Sequence, residues 1–251
     1  IGSRLGELTK YTPKSLIDVN SQSILERQIS IFKKLGISDI TVIIGPHTEK
    51  FTFKNISFIQ DKNYLEHDIL SSLMLARSIM HDDIIVSYGD VIFDEHVLQS
   101  LINFKGSIGL CIDLNWEKNY DGRKLELKKE ATTVQIKNNM CAKIVDGREL
   151  AKSKIKDNSK PSEHKKQELG EFVGLMRLSK HGSMIFIKRY EELINSHIGS
   201  FHEAPSISQA YFTDMLQELI DNDIEILPIP VQGKWCEIDT IEDLKRAEDM
   251  F

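Results

Sequence analysis

Short β-rich runs alternate with amphipathic stretches through the first half of this chain, and each run ends on a glycine or an acid. Asp39 to Ile44 closes at Gly45, Ile84 to Tyr88 closes at Gly89-Asp90, and Ser107 to Asp113 closes on its own aspartate. Between them, Ile24 to Leu35 carries apolar residues at helical spacing and stops at Gly36. Asp68 to Met80 places Leu70, Leu73, Met74, Ala76 and Ile79 on one stripe, and Asp94 caps a segment reaching Asn103. Near-continuous apolar strands need cover on both faces, so this order predicts an α/β fold: a mainly parallel sheet between helices. Ligands of such sheets bind beyond the carboxyl ends of the strands, where Gly45, Asp90 and Asp113 fall.

The pattern changes from Trp116 to Gly170. Leu125 to Leu127, Thr132 to Ile136 and Ala142 to Val145 alternate as hairpins do, and Ser153 to Lys166 is polar enough for a mobile loop. The earlier order then resumes. Gly170 to Leu178 is strand-like, His181 to Ser196 and Ser206 to Asn222 are helical, and Ile224 to Val231 and Trp235 to Ile238 are strand-like. Thr240 caps a last helix through Met250. With no internal repeat, residues 1–251 read as one domain with an inserted β-rich substrate lobe at about 116–170.

Composition narrows the partners. The net charge is −6, and the lysine-rich stretches are interrupted by acids, which argues against a nucleic-acid partner. No apolar run approaches the ~20 residues of a membrane span, so no membrane insertion is expected. Cys111, Cys141 and Cys236 lack metal spacing and read as reduced core thiols of a cytoplasmic protein. The eight histidines show no metal spacing either.

The first fifteen residues hold a candidate anion site. Gly2-Ser3-Arg4-Leu5 sets a cation beside backbone that can approach a ligand closely, and Thr12-Pro13-Lys14 adds a second cation behind a stiffening proline. Arg offers a planar fork to phosphate oxygens and Lys a point charge, the layout a triphosphate needs. A solvated loop would also accommodate these charges. A glycine loop of this kind normally follows a strand, so a strand of about ten residues is expected upstream of Ile1.

Taken together, these segments resemble the nucleotidyltransferase family that activates sugars and alcohol phosphates. Gly2-Ser3-Arg4-Leu5, Leu8-Thr9 and Pro13-Lys14 are similar to its G-x-G-x-R-L…L-T…P-K signature, without the first glycine. Ser71-Ser72-Leu73, Tyr88-Gly89-Asp90 and Trp235-Cys236-Glu237-Ile238-Asp239-Thr240 resemble the cytidylyltransferases that act on phosphonates and phosphocholine. Ala210 to Gln217 and Gly170 to Gly174 are most similar to the phosphonate branch, typified by 2-aminoethylphosphonate cytidylyltransferase.

The resemblance implies a Rossmann-like three-layer α/β/α fold and Mg²⁺-dependent transfer of CMP from CTP to a small phosphonate or phosphate acceptor, with release of pyrophosphate. 2-Aminoethylphosphonate is the leading acceptor; phosphocholine and sugar 1-phosphates are the alternatives, as is a non-catalytic nucleotide-binding module. A homodimer is compatible with this reading. Lys14 and Arg4 would be catalytic, with Gly2, Ser3, Ser72, Gly89 and Asp90 also on the nucleotide. Asp90 and Asp239 would hold Mg²⁺, and Glu237, on the same strand face as Asp239, would join them. Asp113, Trp116, Tyr120, Glu171 and Trp235 would cage an ammonium group, and Arg123 would take the phosphonate. Competing roles are a turn for Asp90, a helix start for Asp239, an N-cap for Ser72 and core packing for the tryptophans.

Overall fold

A computed structural model describes residues 3–120, 128, 130–145 and 168–251. The basic loop forms two short 3₁₀ segments, Ser3–Thr9 and Lys14–Leu16, and leads through a hairpin of β1 (Asp18–Val19) and β2 (Gln22–Ser23). Helix α1 (Ile24–Lys34) starts at a capping box in which Ser23 and Glu26 satisfy each other's backbone amides. Then follow β3 (Thr41–Ile44), β4 (Ser57–Gln60), α2 (Ile69–Met74), β5 (Ile84–Ser87), β6 (Val91–Phe93), α3 (Glu95–Asn103) and β7 (Ile108–Asp113). The second half supplies β8 (Thr133–Lys137), β9 (Met140–Val145), β10 (Glu168–Leu178), α4 (Lys180–Ser196), α5 (Phe212–Asp221), β11 (Leu227–Pro230), β12 (Trp235–Glu237) and α6 (Ile241–Met250).

The Rossmann-like α/β class expected from the sequence is the class observed, and β10 organises the mixed sheet. From Glu171 to Leu178 it lies along β7 on one edge; the other edge takes β8 over its first part and β5 over its last. These ladders are antiparallel, as is β8 with β9, so the described sheet is not the mainly parallel one expected: only β11 with β7 and, in a separate pair, β3 with β4 run parallel, because β10 enters between β7 and β5 against their direction. β8 and β9 form a hairpin whose turn, Asn138-Asn139, has both residues in the left-handed region, as a tight hairpin turn requires. The described part of the 116–170 segment therefore continues the main sheet through β8 and β10.

Two helices are shorter than the periodicity predicts. The first ends at Met74, and Arg77–Ile79 follows as a separate 3₁₀ turn. In the second, residues 206–211 leave the helix because the carbonyls of Ser208 and Ala210 are used elsewhere. Ser208 O accepts from Asp68 N and Ser71 Oγ, and Ala210 O accepts from Leu70 N. Helix α5 then begins afresh, with Asp214 reaching back to the Tyr211 amide.

One bulge in β10 shapes the site. The register shifts between Phe172 and Met176, and Gly174 there has φ +77°, with its carbonyl taking the Tyr88 amide at 2.9 Å. This holds Tyr88 and the following Gly89-Asp90 at the end of β5, while the Tyr88 ring packs edge-on against Phe172 and Phe212 in the core. A Cβ on Gly174 would sit 3.0–3.2 Å from Tyr88 side-chain atoms. Gly174→Ala is therefore expected to lower unfolding stability by about 1–3 kcal/mol in a urea titration, from positive-φ strain and crowding together. An unchanged midpoint would show that the bulge relaxes freely.

Candidate active site

Two short strands bring the acids together. β12 runs antiparallel to β6 with Glu237 opposite Val91, and the Ile238 amide continues the ladder to the Asp90 carbonyl at 3.0 Å. Successive side chains of a strand alternate, so buried Ile238 points into the core while Glu237 and Asp239 point the other way, toward Asp90. Carboxylate oxygens of Asp90, Glu237 and Asp239 all lie within 4.8 Å of one another. The loop after β12 is fixed by Asp243, which accepts from the Asp239 and Thr240 amides at 3.2 and 2.9 Å.

Lys14 closes this cluster. Pro13 and the 3₁₀ turn Lys14–Leu16 deliver its ammonium to Asp90 Oδ2 at 2.7 Å and to Asp239 Oδ1 at 2.5 Å. Burial favours loss of its proton, but the two carboxylates outweigh that and hold its pKa above the ordinary lysine value. Arg4 donates to Asp239 Oδ2 at 2.8 Å and pairs with Glu130. Its longest reach is from residue 4 to residue 239, so the N-terminal segment and the last strand are locked across the whole chain.

Three carboxyl groups against one half-buried ammonium and one exposed guanidinium leave the cluster acid-rich. Burial first, then the charges on Asp90 and Asp239, push the Glu237 carboxyl up to about 8, with Lys14 pulling the other way. Asp90 Oδ1 is buried and has no hydrogen-bond partner among the described residues. A buried carboxylate oxygen without a donor is costly, and a bound cation would satisfy it. Converging oxygens, an orphaned one among them, fit a hard divalent ion such as Mg²⁺.

Behind the cluster lies a cleft of about 200 Å³ whose walls include Arg4, Tyr120, Glu171, Trp235, Glu237 and Asp239. Glu171 is 3 % exposed on β10 and accepts from the Tyr120 hydroxyl. Asp113, at the end of β7, accepts from Trp235 Nε1 at 2.8 Å and from the Asn119 side chain at 3.0 Å, which fixes the indole in the cleft wall. Trp116 is buried outside the cleft lining, edge-on to Tyr120 at 5.7 Å, with the Lys128 ammonium 5.3 Å over its ring.

The structure thus gathers Arg4, Lys14, Asp90, Glu237 and Asp239 at one mouth, and Tyr120, Glu171 and Trp235 just inside it. Gly89 follows β5, its Cβ position 3.6 Å from Ser15. Ser3 opens the first 3₁₀ segment. Ser72 lies apart in α2 and donates to Asp61. Gly2 and Arg123 lie outside the described residues. The sequence reading missed Glu130, Asn119 and Arg246, which also line the cleft. Arg246 binds the Asn119 carbonyl at 2.7 Å from the last helix, a contact that helical spacing alone does not signal. Cys111, Cys141 and Cys236 are buried thiols, and burial raises the pKa of the first two. No described helix is long and apolar enough to cross a membrane.

The chain is similar in sequence and in fold to known nucleotidyltransferases. Residues 1–109 match the MobA-like NTP transferase domain. The chain is 26% identical over 257 residues to the CTP:phosphoglutamine cytidylyltransferase of Campylobacter jejuni, covering 97% of this chain and 94% of that protein. It is 31% identical over 106 residues to a 2-aminoethylphosphonate cytidylyltransferase of Lancefieldella rimae, covering 39% and 43%. The solved CTP:phosphocholine cytidylyltransferase of Streptococcus pneumoniae shares the fold at a TM-score of 0.69 and 16% identity, over 99% of this chain and 93% of that one.

The Glu237 carboxyl makes folding sensitive to pH. Its folded value of about 8 lies above the ordinary value near 4.5, so the folded state holds the extra proton between them. The stability this confers is complete below the lower value and lost as pH rises through the upper one. In chelator, the melting temperature is expected to fall from about pH 5 to about pH 9, and Glu237→Gln to flatten that decline. Equal slopes for wild type and variant would contradict it.

Proposed function

We propose that this chain, whose residues 1–109 match the MobA-like NTP transferase domain, is a nucleotidyltransferase that transfers CMP from CTP to a small acceptor carrying a phosphate or phosphonate and an ammonium group, releasing pyrophosphate. The observation that carries the reading is the Lys14 ammonium held between Asp90 and Asp239, beside a third carboxylate and at the mouth of an acid- and aromatic-walled cleft. The acceptors named for three similar cytidylyltransferases are phosphoglutamine, aminoethylphosphonate and phosphocholine. Each pairs an anionic phosphorus group with an amino or quaternary ammonium group.

An oxygen of such an acceptor attacks the α-phosphorus of CTP, forming a new P–O bond as the bond to pyrophosphate breaks. The second pKa of a phosphomonoester is ~6, so the nucleophile is already ionised at neutral pH and no general base is required. The protein's contribution is alignment and charge neutralisation. Asp90, Glu237 and Asp239 would hold Mg²⁺, whose chemistry there is neutralisation of triphosphate charge. Lys14 carries three N–H donors; two meet Asp90 and Asp239, leaving the third for an α-phosphate oxygen as charge builds. Arg4, whose side chain is 45% exposed, would bind the outer phosphates with its fork. Glu171, Tyr120 and Trp235 would receive the acceptor's ammonium, pairing one buried carboxylate with aromatic faces.

Purified protein with Mg²⁺ should release pyrophosphate from CTP with one of these three acceptors, and far more slowly from ATP, GTP or dTTP. CTP binding without turnover on any acceptor would support a binding module instead. Lys14→Ala is expected to cut turnover roughly 100-fold or more with an unchanged circular dichroism spectrum. Near-normal turnover in that variant would remove Lys14 from the mechanism.

A further inference from the structure

A second polar cluster is built around a buried aspartate at the end of β4. Asp61, 3% exposed, follows β4, and its amide bonds the carbonyl of Ile44, the last residue of β3, at 2.8 Å. Three donors converge on its carboxylate: Ser72 Oγ at 2.6 Å, His67 Nε2 at 2.8 Å and the Asn63 amide at 3.1 Å. This is not a nucleophile relay. The imidazole does not touch the hydroxyl; both point at the carboxylate, so Ser72 has given its only proton to Asp61. Burial opposes ionisation of Asp61, yet the bonds from Ser72 and His67 hold its pKa below the ordinary carboxylate range. It is therefore a pure acceptor at neutral pH.

A serine hydroxyl can donate or accept, and ordinarily turns to suit its partner. Here that freedom is gone. With the proton committed to Asp61, Ser72 Oγ offers only lone pairs to whatever it meets, and Ser72 is half-buried with open surface remaining. The cluster's place in the sheet suits the nucleoside end of a nucleotide. It lies at the carboxyl ends of the parallel β3–β4 pair, the ligand-binding edge of such sheets. Lys50, from the loop after β3, holds the Tyr11 carbonyl, which ties this edge to the segment leading into Lys14. The acceptor cleft, with Glu171 and Trp235, does not include Ser72.

We infer that Asp61 is a positioning residue that sets nucleobase choice: by holding the Ser72 proton it presents an acceptor-only oxygen to position 4 of a pyrimidine, favouring the 4-amino donor of cytosine over the 4-oxo acceptor of uracil. The inference rests on the cytidylyl-transfer reading above.

The test is the ratio of kcat/KM for CTP to that for UTP, measured by pyrophosphate release with whichever acceptor supports turnover. Asp61→Asn replaces one carboxylate oxygen by a donor of the same size, which frees Ser72 to turn its proton outward. The ratio is expected to fall roughly tenfold or more, by loss of CTP rate and gain of UTP rate. Ser72→Ala should lower it as well, and the double variant should be no lower than Ser72→Ala, since Asp61 acts through that hydroxyl. A merely structural Asp61 would lower both rates together and leave the ratio within about twofold of wild type, which would overturn the inference. An unchanged ratio in Ser72→Ala overturns it too, independently of how Asp61→Asn folds. Wild type that turns over neither nucleotide would instead sink the cytidylyl reading on which this one stands.

Discussion

The Lys14 ammonium between Asp90 and Asp239 is the contact on which the rest of the site depends. Asp90, Asp239 and the Glu237 carboxyl converge there, and without a cation between them the two aspartates would repel each other. Lys14 supplies that cation from the opposite end of the chain. A half-buried ion pair of this kind is weak support for stability, because desolvation offsets its attraction. Its consequence is positional: residues 4, 14, 90 and 239 are held as one constellation.

Charge is divided along the cleft in a way that suits two different ligand ends. At the mouth, cations and carboxylates alternate: under the proposed function Lys14 and Arg4 would meet a triphosphate while the acids would hold a divalent ion. Inside, Glu171 is the buried acid, flanked by the Tyr120 and Trp235 rings. Asp113 has a different role from the one its position suggests: its oxygens are spent on Trp235, Asn119 and the Asn115 amide, so it orients the indole. The bulge at Gly174 links the two regions, since it anchors Tyr88, which precedes Gly89-Asp90 and also packs on Phe172 beside Glu171.

Much of this was legible in the sequence because local signals were strong. The β-run ending at Gly89-Asp90, the Glu-Ile-Asp alternation at 237–239 and the Pro-Lys at 13–14 each declare a side-chain direction or a backbone restraint. Helices α1, α3 and α6 begin where their caps Ser23, Asp94 and Thr240 indicate. What sequence could not reveal is what long-range pairing decides. Residues 206–211 have helical periodicity, but Ser208 and Ala210 among them give their carbonyls to the start of α2, and Trp116 is an aromatic suited to binding but packs on Tyr120. Pairing of β10 with β5, β7 and β8 sets the sheet's direction, and no local pattern encodes it. Glu130 and Arg246 reach the cleft only through tertiary placement.

The central claim is that Asp90 and Asp239 form one cation site at a triphosphate. Titrating Mn²⁺ into the protein with CTP present, and following free Mn²⁺ by electron paramagnetic resonance, tests it directly. Tight, nucleotide-dependent Mn²⁺ binding is expected for wild type, with loss in both Asp90→Asn and Asp239→Asn. Undiminished binding in either variant would contradict a shared site.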